Sequence, residues 1–285
     1  MELNREILKE FVHNALKEDV AGGDHTSLAT LPAGAQGQAR LIIKESGILA
    51  GAEVGKFIFS EIDPGLDVRI LIPDGSAVNP GDIAMLVSGS QYSILVGERL
   101  VLNIMQRMSG IATITRRITD SLKGTGTRVL DTRKTTPNLR YFEKLAVQIG
   151  GGVNHRFGLY DMILIKDNHV DYAGGIPQAL QATSSYLQEK GLKLPVIVEV
   201  RSLQELHQVL EIGGVDRILL DNFDYGTLRE AVRIVAGRVP TEASGGITEE
   251  NAPEYAACGV DFISMGALTH SVKSLDMSLK AVKAG

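Results

Sequence analysis

Residues that can grip anions and steady a developing charge recur through the second half of this 285-residue chain, each at the end of a short apolar run. The stretch "VLDTRKTTP" closes such a run on adjacent Arg133 and Lys134 and stops at Pro137. Proline cannot donate to a strand ladder and biases Thr136 toward an extended conformation, so the two cations stand at or beside a strand exit. Further on, "MILIKDN" carries Lys166, "VIVEVR" Glu199, "RILLDN" Asp221, "TEASGG" Ser244, Gly245 and Gly246, and "FISMG" Gly266. The loop "GGVNHRFGLYD" adds His155 and Arg156. Gathering Arg and Lys costs Coulomb repulsion that a bound anion relieves, so these positions suit carboxylates or phosphates. Arginine clasps a planar carboxylate in bidentate fashion, whereas lysine meets phosphate oxygens as a point charge. In "SGG" and "SMG" the glycines let backbone N–H groups close on a phosphate, helped by a following helix N-terminus. Glu199 and Asp221 suit ribose hydroxyls, a Mg²⁺ ion bridging a pyrophosphate, or a cationic reaction centre. His155 reads as part of an anion-binding loop with Arg156, against the plainer reading of a loop histidine.

Such scattered residues need elements that bring them to one place. The last four runs end about 22 residues apart, room for one strand, one helix and two short loops. That repeat predicts parallel βα units. A doubly wound open sheet would be expected to carry G-x-G-x-x-G opening a helix after its first strand, and no such motif stands there. A closed or nearly closed (β/α) barrel collects chemistry from the C-terminal ends of many strands around one mouth, which fits the pattern better. Ahead of it, Leu100, Val101, Ile104, Met105, Met108, Ile111 and Ala112 make an apolar helical stripe over about 97–123, interrupted by Gly110, with the methionines as core packing.

Residues from about 20 to 96 read as short strands with turns at Pro73-Asp74-Gly75 and Asn79-Pro80-Gly81-Asp82. The "GSAVNPGDIAML" hairpin has no modifiable lysine at its tip, so its likeness to lipoyl carriers is structural. The first 19 residues place Leu3, Ile7, Leu8, Phe11, Val12, Ala15 and Leu16 at helical spacing among acids, an amphipathic helix and not a signal peptide.

Composition narrows the function classes. With 34 acidic against 29 basic side chains and a net charge of -5, no dominant basic face for nucleic acid is expected. No apolar run approaches the roughly 18 residues needed to span a membrane. The single cysteine, Cys258, excludes an intrachain disulfide framework, reads as buried near a helix end, and makes the cytoplasm the default compartment. Neither H-E-x-x-H nor paired C-x-x-C nor G-x-S-x-G is present, which sets aside zinc chemistry and serine hydrolysis.

The segments "EDVAGGDHTS", "GERLVLNIMQRMSGIAT", "DTRKTTPNLR", "GGVNHRFGLYDMILIKDNHV", "LLDNF", "EASGGI" and "FISMGALTHSVKSLDMSLK" together resemble the quinolinate phosphoribosyltransferases, or carboxylating nicotinate-nucleotide pyrophosphorylases, through nearly the whole chain. The resemblance implies an α/β fold: an N-terminal α/β sandwich domain over 1–112, an incomplete TIM-like barrel over 113–270, and a last helix at about 271–285 returning to the first domain. It implies transfer of phosphoribosyl from 5-phosphoribosyl-1-pyrophosphate to quinolinate with loss of CO₂, giving nicotinate mononucleotide and pyrophosphate in de novo NAD biosynthesis. Arg133 and Arg156 would hold the carboxylates with His155 beside them, and Arg99 would reach in from a second subunit of a homodimer or higher oligomer. Lys134 and Lys166 would serve both substrates' anionic groups. Glu199 and Asp221 would address ribose and Mg²⁺, and Ser244, Gly245, Gly246 and Gly266 the 5-phosphate. Three rivals stand beside this reading: a transferase of the same fold acting on nicotinate or another planar acid, a related molybdenum-transport-associated protein without this turnover, and a non-catalytic barrel used for assembly, which would leave the cationic mouth unexplained. Three arginines for two carboxylates favour quinolinate.

Overall fold

The computed structural model describes residues 3–282. In chain order the elements are α1 (Arg5–Asp19), α2 (His25–Thr30), β1 (Gln36–Ile43), β2 (Gly47–Ile48), α3 (Ala52–Ile62), β3 (Asp67–Ile70), β4 (Ala77–Val78), β5 (Ile83–Ser90) and α4 (Gln91–Ser121). There follow β6 (Arg128–Leu130), α5 (Arg140–Ile149), β7 (Ile163–Ile165), α6 (Asp167–Ala173), α7 (Ile176–Lys190), β8 (Val196–Val200), α8 (Leu203–Ile212) and β9 (Arg217–Asp221). The last are α9 (Tyr225–Val235), β10 (Thr241–Ser244), α10 (Ala252–Ala256), β11 (Phe262–Ser264), α11 (Ala267–His270) and β12 (Met277–Ala281). They form two compact units. One takes in the chain up to Arg116, Thr136–Gly151 and the segment from Val272; the other holds Arg117–Thr135 and Gly152–Ser271.

The first unit is built on a four-stranded antiparallel sheet in the order β12-β1-β5-β3. The central helix α4 presents Val101, Met105, Met108 and Ile111, all buried, so the methionines are core residues as their spacing predicts. The glycine that interrupts this stripe has a reason. A Cβ on Gly110 would lie 2.2 Å from the Lys273 carbonyl oxygen, so only glycine lets the returning chain pass.

Three sequence expectations change here. The stretch 20–96 contains α2, α3 and the start of α4 as well as strands: Asp24 caps α2 by accepting from the Thr26 and Ser27 N–H groups, α3 buries Val54, Ile58 and Phe59 on one face, and α4 already begins at Gln91. The expected helix at 271–285 is instead the strand β12, paired antiparallel with β1 from Ile43↔Met277 to Ala39↔Ala281; residues 283–285 lie outside the described part. Met277 and Leu279 are buried while Ser278 and Lys280 are more exposed, a two-residue alternation that a helix would scatter round its surface. The units also divide at Arg116/Arg117 instead of 112/113, inside the continuous helix α4. Residues 136–151 join the first unit because α5 packs Phe142 on Phe11, with ring centroids 4.5 Å apart, and gives the fully buried Glu143 to Arg107 at 2.9 Å.

The second unit is a six-stranded parallel sheet in the order β6-β11-β10-β9-β8-β7, with edges at β6 and β7. The expected parallel units are therefore present and the barrel is incomplete. Burial along β8 is continuous, as a strand covered on both faces requires. Among the described residues no helix is long and apolar enough to cross a membrane. Cys258 is free and buried just beyond α10.

Candidate active site

A strand's pleat sends every second side chain to the same face, so residues two apart should line the same cavity. They do. Leu164 and Lys166, Leu219 and Asp221, Glu242 and Ser244, and Ser264 and Gly266 all face one cavity of about 870 Å³ at the C-terminal ends of the strands. Arg133, Lys134, His155, Arg156, Glu199, Gly245 and Gly246 complete its wall from the second unit alone. Thus every expected site residue of the barrel converges on this mouth; Arg99 lies exposed on α4 in the first unit. A second hollow of about 380 Å³ beside β7 is lined mainly by apolar residues such as Leu159, Met162 and Ala179, without the charge array that anions require.

The strand order divides the mouth. Arg133 and Lys134 follow β6, the glycine loops follow β11 and β10, and the carboxylates stand on β9 and β8, with Lys166 after β7. Lys166 donates from Nζ to Glu199 Oε2 at 2.9 Å, and Glu199 is only 5% exposed. His169 orients this lysine by accepting its backbone N–H on Nδ1 at 3.0 Å. On Asp221, burial and then the neighbouring Glu199 charge push the carboxyl above its usual range, against the Asn222 amide and Lys166, which pull it down. A carboxyl so destabilised as an anion responds strongly to an approaching cation.

Arg156 shows the opposite polarity. Burial and then the repulsion of Arg133 lower its pKa, so two guanidiniums share one side of the cavity at an electrostatic cost. Its loop is firmly built: Asp161 accepts from the Phe157 and Gly158 N–H groups at 2.6 and 2.9 Å, which accounts for the acid in "GLYD". At the glycine loops, Gly245 has φ of 99° and a Cβ there would stand 2.1 Å from Asn222 Oδ1, so no side chain fits. The Lys134 stem lies against Gly266, where a Cβ would come within 2.9 Å of Lys134 Cδ. This brings a cation beside the proposed phosphate loops. α11 begins directly after Gly266, whereas α10 begins only at Ala252, so the "SGG" turn has no helix immediately behind it.

Sequence reasoning passed over several lining or supporting residues. Glu242 is fully buried on β10 and accepts from Arg217 Nη1 at 2.9 Å, while Asp131, also fully buried, accepts the His155 N–H at 2.8 Å. Counting two residues back from Ser244 would have found Glu242. Thr132, Asp167 and His270 also line the cavity.

The quinolinate phosphoribosyl transferase C-terminal domain matches residues 111–280, and the N-terminal domain of the same family matches 24–109. The chain belongs to the quinolinate phosphoribosyltransferase family. It is 45% identical to quinolinate phosphoribosyltransferase (decarboxylating) 2, mitochondrial, of Nicotiana glauca, over 96% of this chain and 82% of that protein. The probable nicotinate-nucleotide pyrophosphorylase (carboxylating) of Bacillus subtilis (strain 168) is 41% identical over 97% of this chain and 94% of its own length. Among solved structures, NadC from Streptococcus pyogenes superposes with a TM-score of 0.93 at 36% identity, covering 99% of this chain and all of that one at 100%. The phosphoribosyltransferase family thus accounts for both units of the chain.

Proposed function

We propose that the barrel mouth transfers the phosphoribosyl group of 5-phosphoribosyl-1-pyrophosphate to the ring nitrogen of quinolinate and releases the 2-carboxylate as CO₂. The observation that carries this reading is the division of one cavity into a guanidinium side, a glycine-loop centre and a carboxylate side. Arg133 and Arg156, with His155 beside them, bind the quinolinate carboxylates; burial and then the Arg133 charge destabilise the Arg156 guanidinium, and an arriving anion offsets both. Ser244, Gly245, Gly246 and Gly266 hold the 5-phosphate, and Lys134 and Lys166 bind the anionic groups of both substrates.

As pyrophosphate leaves, positive charge builds on the anomeric carbon, and Glu199 and Asp221 stabilise it from the β8–β9 side. The pyridine nitrogen then bonds to that carbon and becomes cationic. Its C2–carboxylate bond breaks, CO₂ departs, and the electron pair left at C2 takes up a proton, the ring cation serving as electron sink. Nicotinate mononucleotide and pyrophosphate remain.

Mg²⁺ keeps much of its water and often binds through one or two carboxylates plus substrate phosphates. Asp221, raised in pKa by burial and then by a neighbouring carboxylate, gains from a cation and fits such an ion, with Glu199 as its companion. A bound Mg²⁺ would neutralise charge on the departing pyrophosphate. Among the described residues no group of three His, Cys, Asp or Glu side chains is arranged to hold a metal.

The same reading makes the working form a homodimer in which Arg99 of one subunit serves the mouth of the other, acting in the cytoplasm. Two experiments test the substrate assignment. Quinolinate should exceed nicotinate in kcat/KM by about a hundredfold or more, since losing one carboxylate leaves the buried Arg156 guanidinium without its substrate counter-charge; equal use of the two would overturn it. Arg133→Lys keeps charge but loses the planar fork, so calorimetric titration should show quinolinate affinity falling about tenfold with 5-phosphoribosyl-1-pyrophosphate affinity little changed. Equal losses for both ligands would contradict the division of the mouth.

A further inference from the structure

Beneath the mouth, Glu242 is 0% exposed and reaches two partners: Arg217 Nη1 at 2.9 Å and His155 Nε2 at 3.5 Å. Its side chain stands one pleat below Ser244, so it belongs to the barrel interior and not to the rim. A buried carboxylate costs several kcal/mol unless paired and hydrogen-bonded. Here burial works against ionisation, but His155 and then Arg217 outweigh it, and the carboxyl is held below its usual range. Arg217 is itself anchored from below, its guanidinium 4.3 Å from the Phe262 ring centroid. An ion pair with Arg217 alone would explain a structural carboxylate, but not why the histidine ring is brought to the same oxygen.

The His155 ring connects this buried charge to the substrate side. Its Nδ1 accepts the Arg156 backbone N–H at 2.7 Å, which leaves the ring proton on Nε2, facing Glu242. Asp131 fixes the same loop by accepting the His155 N–H. We infer that Glu242 is a positioning residue for the carboxylate substrate: it holds His155 in the Nε2–H tautomer and thereby fixes the backbone and guanidinium of Arg156 at the mouth. The inference rests on the quinolinate reading for its kinetic consequence, but not for the tautomer.

The test uses the full-length enzyme. Nitrogen NMR of the substrate-free protein should show His155 protonated at Nε2 and bare at Nδ1, and Glu242→Gln should shift both resonances. With the enzyme folded, Glu242→Gln should raise the KM for quinolinate about tenfold while kcat and the KM for 5-phosphoribosyl-1-pyrophosphate stay within about twofold. The double variant with His155→Asn should lose no more quinolinate affinity than His155→Asn alone, because Glu242 acts through His155. A His155 proton on Nδ1 in the wild type would overturn the inference whatever becomes of the variant. So would a Glu242→Gln enzyme that melts earlier yet keeps its quinolinate KM and His155 signals, since Glu242 would then be only the counter-ion of Arg217. Absence of any turnover of quinolinate would instead sink the proposed function and leave the imidazole measurement to decide the link.

Discussion

Lys166→Ala should lower kcat/KM for quinolinate by about a hundred- to a thousandfold while the protein stays folded. Removing one partner of a buried pair costs about 3–5 kcal/mol, but the Lys166 side chain is 47% exposed, so solvent screening reduces the contribution to stability. The catalytic loss is larger because Glu199 keeps its buried charge and the substrates lose a cation at the same time. The pH profile carries a second signature. Lys166 lowers the Asp221 carboxyl pKa, which burial and Glu199 have raised; without the lysine it rises further. If ionised Asp221 is required, activity is lost as pH falls through that pKa, so the acid limb moves to higher pH in the variant. An unchanged limb with a thousandfold loss would mean that Asp221 does not set it.

Much of this site was legible because strand ends announce themselves. "MILIKDN", "VIVEVR", "RILLDN" and "TEASGG" each place a polar or glycine residue where an apolar core side chain is no longer needed, and every one is at the cavity. What escaped was the interior layer. Glu242 looks like a solvated residue in "TEASGG", and only the pleat, with Ser244 facing the mouth, turns it inward against Arg217 and His155. The β12 strand escaped for another reason: "MSLKA" is too short for its alternation to outweigh helical composition until β1 supplies a partner. The assignment of α5 to the first unit rests on Phe11 meeting Phe142 across a long sequence separation, which no local pattern encodes.

Arg99→Ala should reduce activity below about 1% of wild type while leaving thermal stability nearly unchanged. Arg99 is exposed on α4, where truncation leaves no buried group unpaired, so the fold should tolerate its loss. The substrate would lose a charge-assisted carboxylate contact, worth about 2–5 kcal/mol when desolvated. The shared-site reading adds a sharper consequence. In a dimer of one Arg99→Ala subunit and one Lys166→Ala subunit, one mouth carries both lesions and the other carries neither. Mixed dimers should therefore regain about half of wild-type activity, although both parents are nearly inactive. Purified heterodimers as inactive as their parents would rule out independent mouths completed by Arg99 of the partner.

One mouth is expected to couple phosphoribosyl transfer to loss of the 2-carboxylate. Incubating the purified protein with 5-phosphoribosyl-1-pyrophosphate, Mg²⁺ and quinolinate labelled in that carboxylate tests it most directly. One labelled CO₂ and one nicotinate mononucleotide should appear for each pyrophosphate released. Pyrophosphate release with the label retained in a nucleotide, or no consumption of quinolinate by folded enzyme, would contradict it.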